Sequence, residues 1–227
     1  MSQTVYSVAV DGPAGAGKSS LAKFVAAQLG IVYVDTGAIY RSIGYYAFKN
    51  GVDPTNTEAM IASLPSIHIE MGYGEDGLQR MYLNGEDVTK EIRLPEISRY
   101  ASCVSAIGEV RAFLLDMQRD MAKKTSVIMD GRDIGTVVLP DADVKIYLTA
   151  SSAVRAQRRM LELEQRGTPL AYETVLKEIE DRDWADMHRD VAPLRQAEDA
   201  IVVDTSDLSL DESRAKLLEV IQGRLAK

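Results

Sequence analysis

Residues 12–19 read Gly-Pro-Ala-Gly-Ala-Gly-Lys-Ser, which satisfies the spacing G-x-x-x-x-G-K-[ST]. Glycine at these positions lets the chain curl until successive backbone N–H groups point inward at a phosphate. The N-terminus of a following helix adds partial positive charge at the same place. Gly12, Pro13, Ala14, Gly15, Ala16, Gly17 and Ser20 are thus the expected cradle for a nucleoside triphosphate. Lys18 is expected to neutralise the outer phosphates and Ser19 to ligate Mg²⁺. A plain Gly/Ala-rich strand-to-helix turn would need neither the lysine nor the hydroxyl after it.

The loop says nothing of a second substrate. The chain contains neither an Asn-Lys-x-Asp base-reading motif nor an Asp-x-x-Gly switch, which disfavours a GTPase and leaves small-molecule kinases and motor-type ATPases. Moving a γ-phosphoryl group onto an acceptor that is itself anionic brings like charges together, and guanidinium groups must offset the repulsion. Arg41, Arg132, Arg182 and Arg189 are the candidates, with Arg155, Arg158 and Arg159 as a set spaced i, i+3, i+4 after a Ser151 or Ser152 cap. That last face either closes over polyphosphate or is a solvated, salt-bridged surface. Asp35, Thr36, Asp130, Arg132 and Asp133 fall just beyond expected strands, where open α/β sheets bind their ligands.

Positioning these groups requires a parallel sheet. Short β-branched runs at Val5 to Val10, Ile31 to Val34, Ser126 to Met129, Val144 to Leu148 and Ala200 to Val203 alternate with helical periodicity. The expected fold class is α/β: a P-loop kinase with a five-stranded parallel sheet flanked by helices. One segment departs from this rhythm. Ile67, Ile69 and Met71 alternate with polar residues, and Met81 and Leu83 repeat the pattern across a turn from Gly72 to Gly77. An antiparallel β-hairpin is expected there, inside an insertion at 61–103, with the kinase core at 1–60 and 104–227 and a helical lid within about 155–190.

Among the 227 residues, 46% are apolar and 26% charged, the ordinary globular mix, which argues against disorder and fibrous repeats. Lys plus Arg total 26 against 34 Asp plus Glu, and the net charge of −8 opposes binding to a nucleic acid polymer. One cysteine, Cys103, excludes an intrachain disulfide framework and reads as a small buried hydrophobe. His68 and His188 read as surface or packing residues and Trp184 as a packing residue. The N-terminus has no basic leader, and no apolar run reaches the roughly 18 residues of a membrane span. A soluble cytoplasmic protein is expected.

VDGPAGAGKSS, VDTGAIYR, MDGRDIGTVV, VKIYLTAS and RDWADMHRDVAPL, in this order, resemble the bacterial cytidylate kinase (CMP kinase) family over nearly the whole chain. The resemblance implies Mg²⁺-dependent transfer of the γ-phosphoryl group from ATP to CMP or dCMP by a monomer, with residues 61–103 as the monophosphate-binding segment. It further implies that Arg41 and Arg132 grip the acceptor phosphate and that Asp133, Thr36, Arg111 and Arg189 read the base. Ser102, Arg182 and Asp186 would hold the ribose and nearby phosphate, Lys18, Arg132 and Arg182 would serve catalysis, and Asp130 would order the metal's waters. Cytosine presents an amino donor beside acceptors, which a carboxylate with cationic or hydroxyl donors matches, whereas uracil would set a carbonyl against Asp133. A P-loop kinase for another monophosphate such as UMP, or for a small acid, is the nearest alternative. A nucleotide-sensing module would have no use for the arginines.

Overall fold

The computed structural model describes residues 5–165 and 167–226. In chain order the elements are β1 (Ser7–Asp11), α1 (Lys18–Leu29), β2 (Val32–Asp35), α2 (Thr36–Lys49), α3 (Thr57–Ser63), β3 (Ile69–Tyr73), β4 (Gln79–Leu83) and β5 (Glu86–Asp87). There follow α4 (Pro95–Val104), α5 (Gly108–Lys124), β6 (Val127–Gly131), β7 (Val144–Thr149), α6 (Ser152–Gln165), α7 (Tyr172–His188), β8 (Ile201–Asp204) and α8 (Leu210–Leu225). The chain forms two compact units, one of residues 1–33 and 122–227 and one of residues 34–121. The second unit contains the hairpin.

A five-stranded sheet has the order β2-β6-β1-β7-β8, as expected for the α/β class. β1 runs parallel to β6 and β7, so Val8 lies opposite both Ile128 and Val144, and Asp11 opposite Gly131 and Tyr147. This register brings the carboxyl ends of β1 and β6 side by side, which sets residues 12–19 beside residues 130–133. All five strands run one or two residues further than their apolar stretches, to end on Asp11, Asp35, Gly131, Thr149 and Asp204. Ladder hydrogen bonds depend on the backbone alone and continue past the last apolar side chain.

In the first unit Leu21, Ala22 and Val25 of α1 and Leu217 and Ile221 of α8 are buried against Val8, Val10, Ile146 and Leu148 of the sheet. Each large aliphatic side chain so enclosed contributes about 1.5–3 kcal/mol over its exposed state. In the second unit a separate core joins Ile39 and Ile43 of α2 to Met81 and Leu83 of β4 and to Val110 and Leu114 of α5. β3 and β4 pair antiparallel with Ile69 opposite Leu83 and Met71 opposite Met81. Ile67 lies outside the strand but is buried in the same core. Asn84 and Gly85, both at positive φ, turn the chain into β5, a third strand the hairpin pattern did not foretell.

Trp184 is 65% exposed rather than packed, its ring stacked on His188 at 4.5 Å. It falls on the face of α7 away from the buried Asp183 and Asp186. Cys103 is half-buried. Among the described residues no helix is long and apolar enough to cross a membrane.

Candidate active site

The loop between β1 and α1 takes its shape from close approach. A Cβ on Gly12 would fall on the carbonyl oxygen of Leu148, and Gly12, Gly15 and Gly17 all have positive φ. Lys18 opens α1 and is buried, its Nζ donating to the carbonyls of Gly12 at 2.8 Å and Pro13 at 2.7 Å. Burial pulls its pKa well below the ordinary lysine value, and Arg132 adds to this, while Asp130, Asp11 and Asp186 oppose it. The lysine, one arginine and three carboxylates are therefore close enough to feel one another's charge.

Ser19 Oγ donates to Asp130 Oδ2 at 2.9 Å, and Tyr33 donates its hydroxyl to Asp130 Oδ1 at 2.7 Å. Two residues on from Asp130, Arg132 donates from Nε to Asp186 Oδ2 at 2.7 Å. Burial alone would raise the Asp186 pKa, but Arg132 by charge and hydrogen bond, with Arg182 and Arg189, brings it below the ordinary carboxylate value. Arg189 donates to the Ala192 carbonyl at 2.7 Å and lies 3.4 Å from Asp133 Oδ1. Of the residues singled out from sequence, the first unit thus gathers Lys18, Ser19, Asp130, Arg132, Arg182 and Asp186, with Asp133 and Arg189 paired.

The three arginines of α6 do not share one environment. Arg155 is buried, donating from Nε to the Ala150 carbonyl and from NH1 to the Ala14 carbonyl of the loop, with Asp183 at 2.6 Å. Arg158 donates to the carbonyl and hydroxyl of Thr205. Only Arg159 reaches an exposed surface, where it pairs with Glu162. Helical spacing put the three on one side, but a turn of α6 spans both the interior and the edge.

In the second unit Asp35 caps α2, accepting from the Ala38 N–H at 2.9 Å with Oδ1. Its Oδ2 accepts from Arg41 and from Arg93, each at 2.9 Å. Burial by itself raises the Asp35 pKa, but Arg41 and Arg93 outweigh it and hold the carboxyl below its ordinary value. Thr36 is buried at the start of α2. Ser102 is half-buried on α4, and Arg111 on α5 places its guanidinium 5.3 Å from the ring centre of Tyr40 and donates to the Ser105 carbonyl at 3.0 Å. The strand-end position marked Asp35, but nothing in the sequence assigned it two arginines. Arg93 escaped notice because it sits on a single turn, Glu91–Arg93, too short for periodicity. Tyr33 escaped because its place in an apolar strand hides a hydroxyl aimed at Asp130.

The family model for cytidylate kinase matches residues 8–223. The chain is 52% identical over 213 residues to a cytidylate kinase from Caldicellulosiruptor bescii, covering 94% of each chain. It is 48% identical over 218 residues to one from Flavobacterium johnsoniae, covering 94% of this chain and 95% of the other. A crystal structure of an uncharacterized protein from Eubacterium ventriosum superposes with a TM-score of 0.53 at 13% identity, over 97% of this chain and 99% of that one, a likeness of fold alone. With a family match over nearly all its length and the phosphate loop in place, the chain belongs to the cytidylate kinase family.

Proposed function

We propose that this chain is an ATP-dependent phosphotransferase that moves the γ-phosphoryl group of ATP onto CMP and dCMP, releasing ADP with CDP or dCDP. The observation that carries the reading is the gathering of Arg132 and the Arg182-flanked Asp186 around Lys18 at the phosphate loop. A cluster of this kind is what an anionic acceptor requires.

The attacking oxygen belongs to a phosphate already ionised at neutral pH, so the enzyme needs no general base and works by positioning and charge screening. Residues 12–20 cradle the triphosphate with their N–H groups. Lys18, whose charged form burial disfavours, is stabilised as an ammonium beside phosphate oxygens and follows the transferred group. Arg132 and Arg41 hold the acceptor phosphate, and Arg182 with Asp186 and Ser102 orient the ribose and nearby phosphate. Asp133, Arg189, Thr36 and Arg111 read cytosine, Asp133 accepting from its amino group. Arg159 is the member of the α6 set best placed to reach a donor nucleotide, and Arg155 shapes the loop through the Ala14 carbonyl.

The Ser19 hydroxyl and Asp130 carboxylate are hard oxygen donors side by side, a set suited to Mg²⁺. Ser19 would ligate the ion directly and Asp130 through water, and when bound the ion neutralises charge between the outer phosphates. Residues 61–103 form the monophosphate-binding segment of a cytoplasmic monomer that does not bind nucleic acid polymers.

A panel of nucleoside monophosphates with ATP and Mg²⁺, followed by ADP release, tests the reading. CMP and dCMP are expected to give the highest kcat/KM. A panel led by UMP, a purine monophosphate or a small acid would overturn it.

A further inference from the structure

Asp11, the last residue of β1, is buried and both of its carboxylate oxygens are engaged. Oδ1 accepts from the Ile134 N–H and Oδ2 from the Gly135 N–H, each at 2.7 Å. These two amides open the short helical turn Ile134–Val138, whose backbone bonds run from Val137 and Val138 back to the Asp133 carbonyl. The first N–H groups of any such turn lack partners within it, and the residue preceding the turn ordinarily supplies one from its side chain. Here that residue is Asp133, an excellent capping type, and its side chain makes no cap. The cap comes instead from a neighbouring strand, 123 residues away in sequence.

We infer that Asp11 is a positioning residue for acceptor recognition: by capping the turn from outside, it fixes the backbone that carries the Asp133 carboxylate, which lies beside Arg189 rather than on the first N–H groups of the turn. This rests on the reading of Asp133 as the group that recognises cytosine. Only a carboxylate offers two acceptors spaced for two successive N–H groups; an amide of the same shape offers one acceptor and turns a donor against the second N–H. Gly135 adjoins the same carboxylate: a Cβ there would touch Asp11 Oδ2 at 3.4 Å and crowd the Lys145 side chain at 3.2 Å. Burial pushes the Asp11 carboxyl up to about 6, with its two backbone bonds and Lys18 lowering it and Asp133 raising it. Asp11 therefore occupies its place at a cost to stability, as expected of a group retained for function.

Three variants of the full chain test this: Asp11→Asn, Gly135→Ala and Asp133→Ala. Each is assayed with CMP and UMP as acceptors, for affinity toward the ATP–Mg²⁺ complex, and for hydrogen exchange at the Ile134 and Gly135 amides. Asp11→Asn is expected to raise KM for CMP roughly tenfold and to lower the CMP-to-UMP ratio of kcat/KM, with ATP affinity within about twofold of wild type. Exchange at the two amides should quicken. Gly135→Ala should give the same signature and serves if Asp11→Asn does not fold. If Asp133→Ala abolishes discrimination while Asp11→Asn and Gly135→Ala retain it, Asp11 is only scaffold and the inference is wrong. If Asp133→Ala itself discriminates as wild type does, the assignment of Asp133 fails first and takes the inference with it.

Discussion

Lys18 and Asp35 show two uses of a buried charge. Lys18 is enclosed by loop carbonyls and by neighbours of both signs, so its ammonium gains most when phosphate oxygens join them. Lys18→Ala is expected to lower kcat on the order of 10²–10³-fold while melting within a few degrees of wild type; steady-state kinetics beside a melting curve separates the two effects, and near-normal turnover would remove Lys18 from the mechanism. Asp35 holds structure as well as charge, since one carboxylate caps α2 and receives two guanidinium groups. Asp35→Ala leaves Arg41 and the Ala38 N–H without that acceptor, and a stability loss of about 2–3 kcal/mol is expected in denaturant unfolding. The Arg93 side chain is 48% exposed and adds little to that figure. A loss below about 0.5 kcal/mol would show that water replaces the carboxylate at both positions.

At the scale of elements, the junctions between strand and helix carry both the fold and the chemistry. Gly12 meets the Leu148 carbonyl where β1 gives way to the loop, so Gly12→Ala must push the loop off the sheet. ATP affinity is expected to fall at least tenfold with far-UV circular dichroism unchanged, since the steric conflict is confined to one turn. Helix α8 makes the opposite case. Ser209 and Glu212 form a reciprocal capping box at its start, far in chemistry from any phosphate. Ser209→Ala should cost about 1 kcal/mol in unfolding free energy and leave both Michaelis constants unaltered. A changed KM there would mean that α8 communicates with the nucleotide loop.

For the whole molecule, buried carboxylates act against one another in their response to acid. Asp35 and Asp186 titrate below their ordinary value in the folded chain, so they lend stability above the unfolded carboxylate value of 3.8 and lose it as pH falls further. Asp11 is reversed. Its folded pKa of about 6 lies above the unfolded 3.8, so the folded state holds the extra proton between those values and stability is lost as pH rises through them. The span corresponds to about 3 kcal/mol at neutral pH. Asp11→Asn abolishes this titration, so its stability relative to wild type should improve between pH 4 and pH 7 by an amount of that order. Denaturant unfolding at several pH values measures it, and a difference that does not change with pH would show that Asp11 ionises in the folded chain as it does in the unfolded one.

The phosphate loop, the alternation of strand and helix, the hairpin and the strand-end polar residues were legible in the sequence because each is a local pattern. Glycine spacing, period 2 and period 3.6 act over a few residues and need no knowledge of neighbours in space. What tertiary structure alone decided are the pairings of distant residues: Asp11 with Ile134 and Gly135, Tyr33 with Asp130, Arg93 with Asp35, and Arg155 with Ala14. The last ties one arginine of a helical face, which spacing alone left either closing over polyphosphate or solvated, to the backbone of the phosphate loop. Side chains separated by 58 to 141 residues meet only when sheet register and helix packing place them, and no local pattern encodes that meeting.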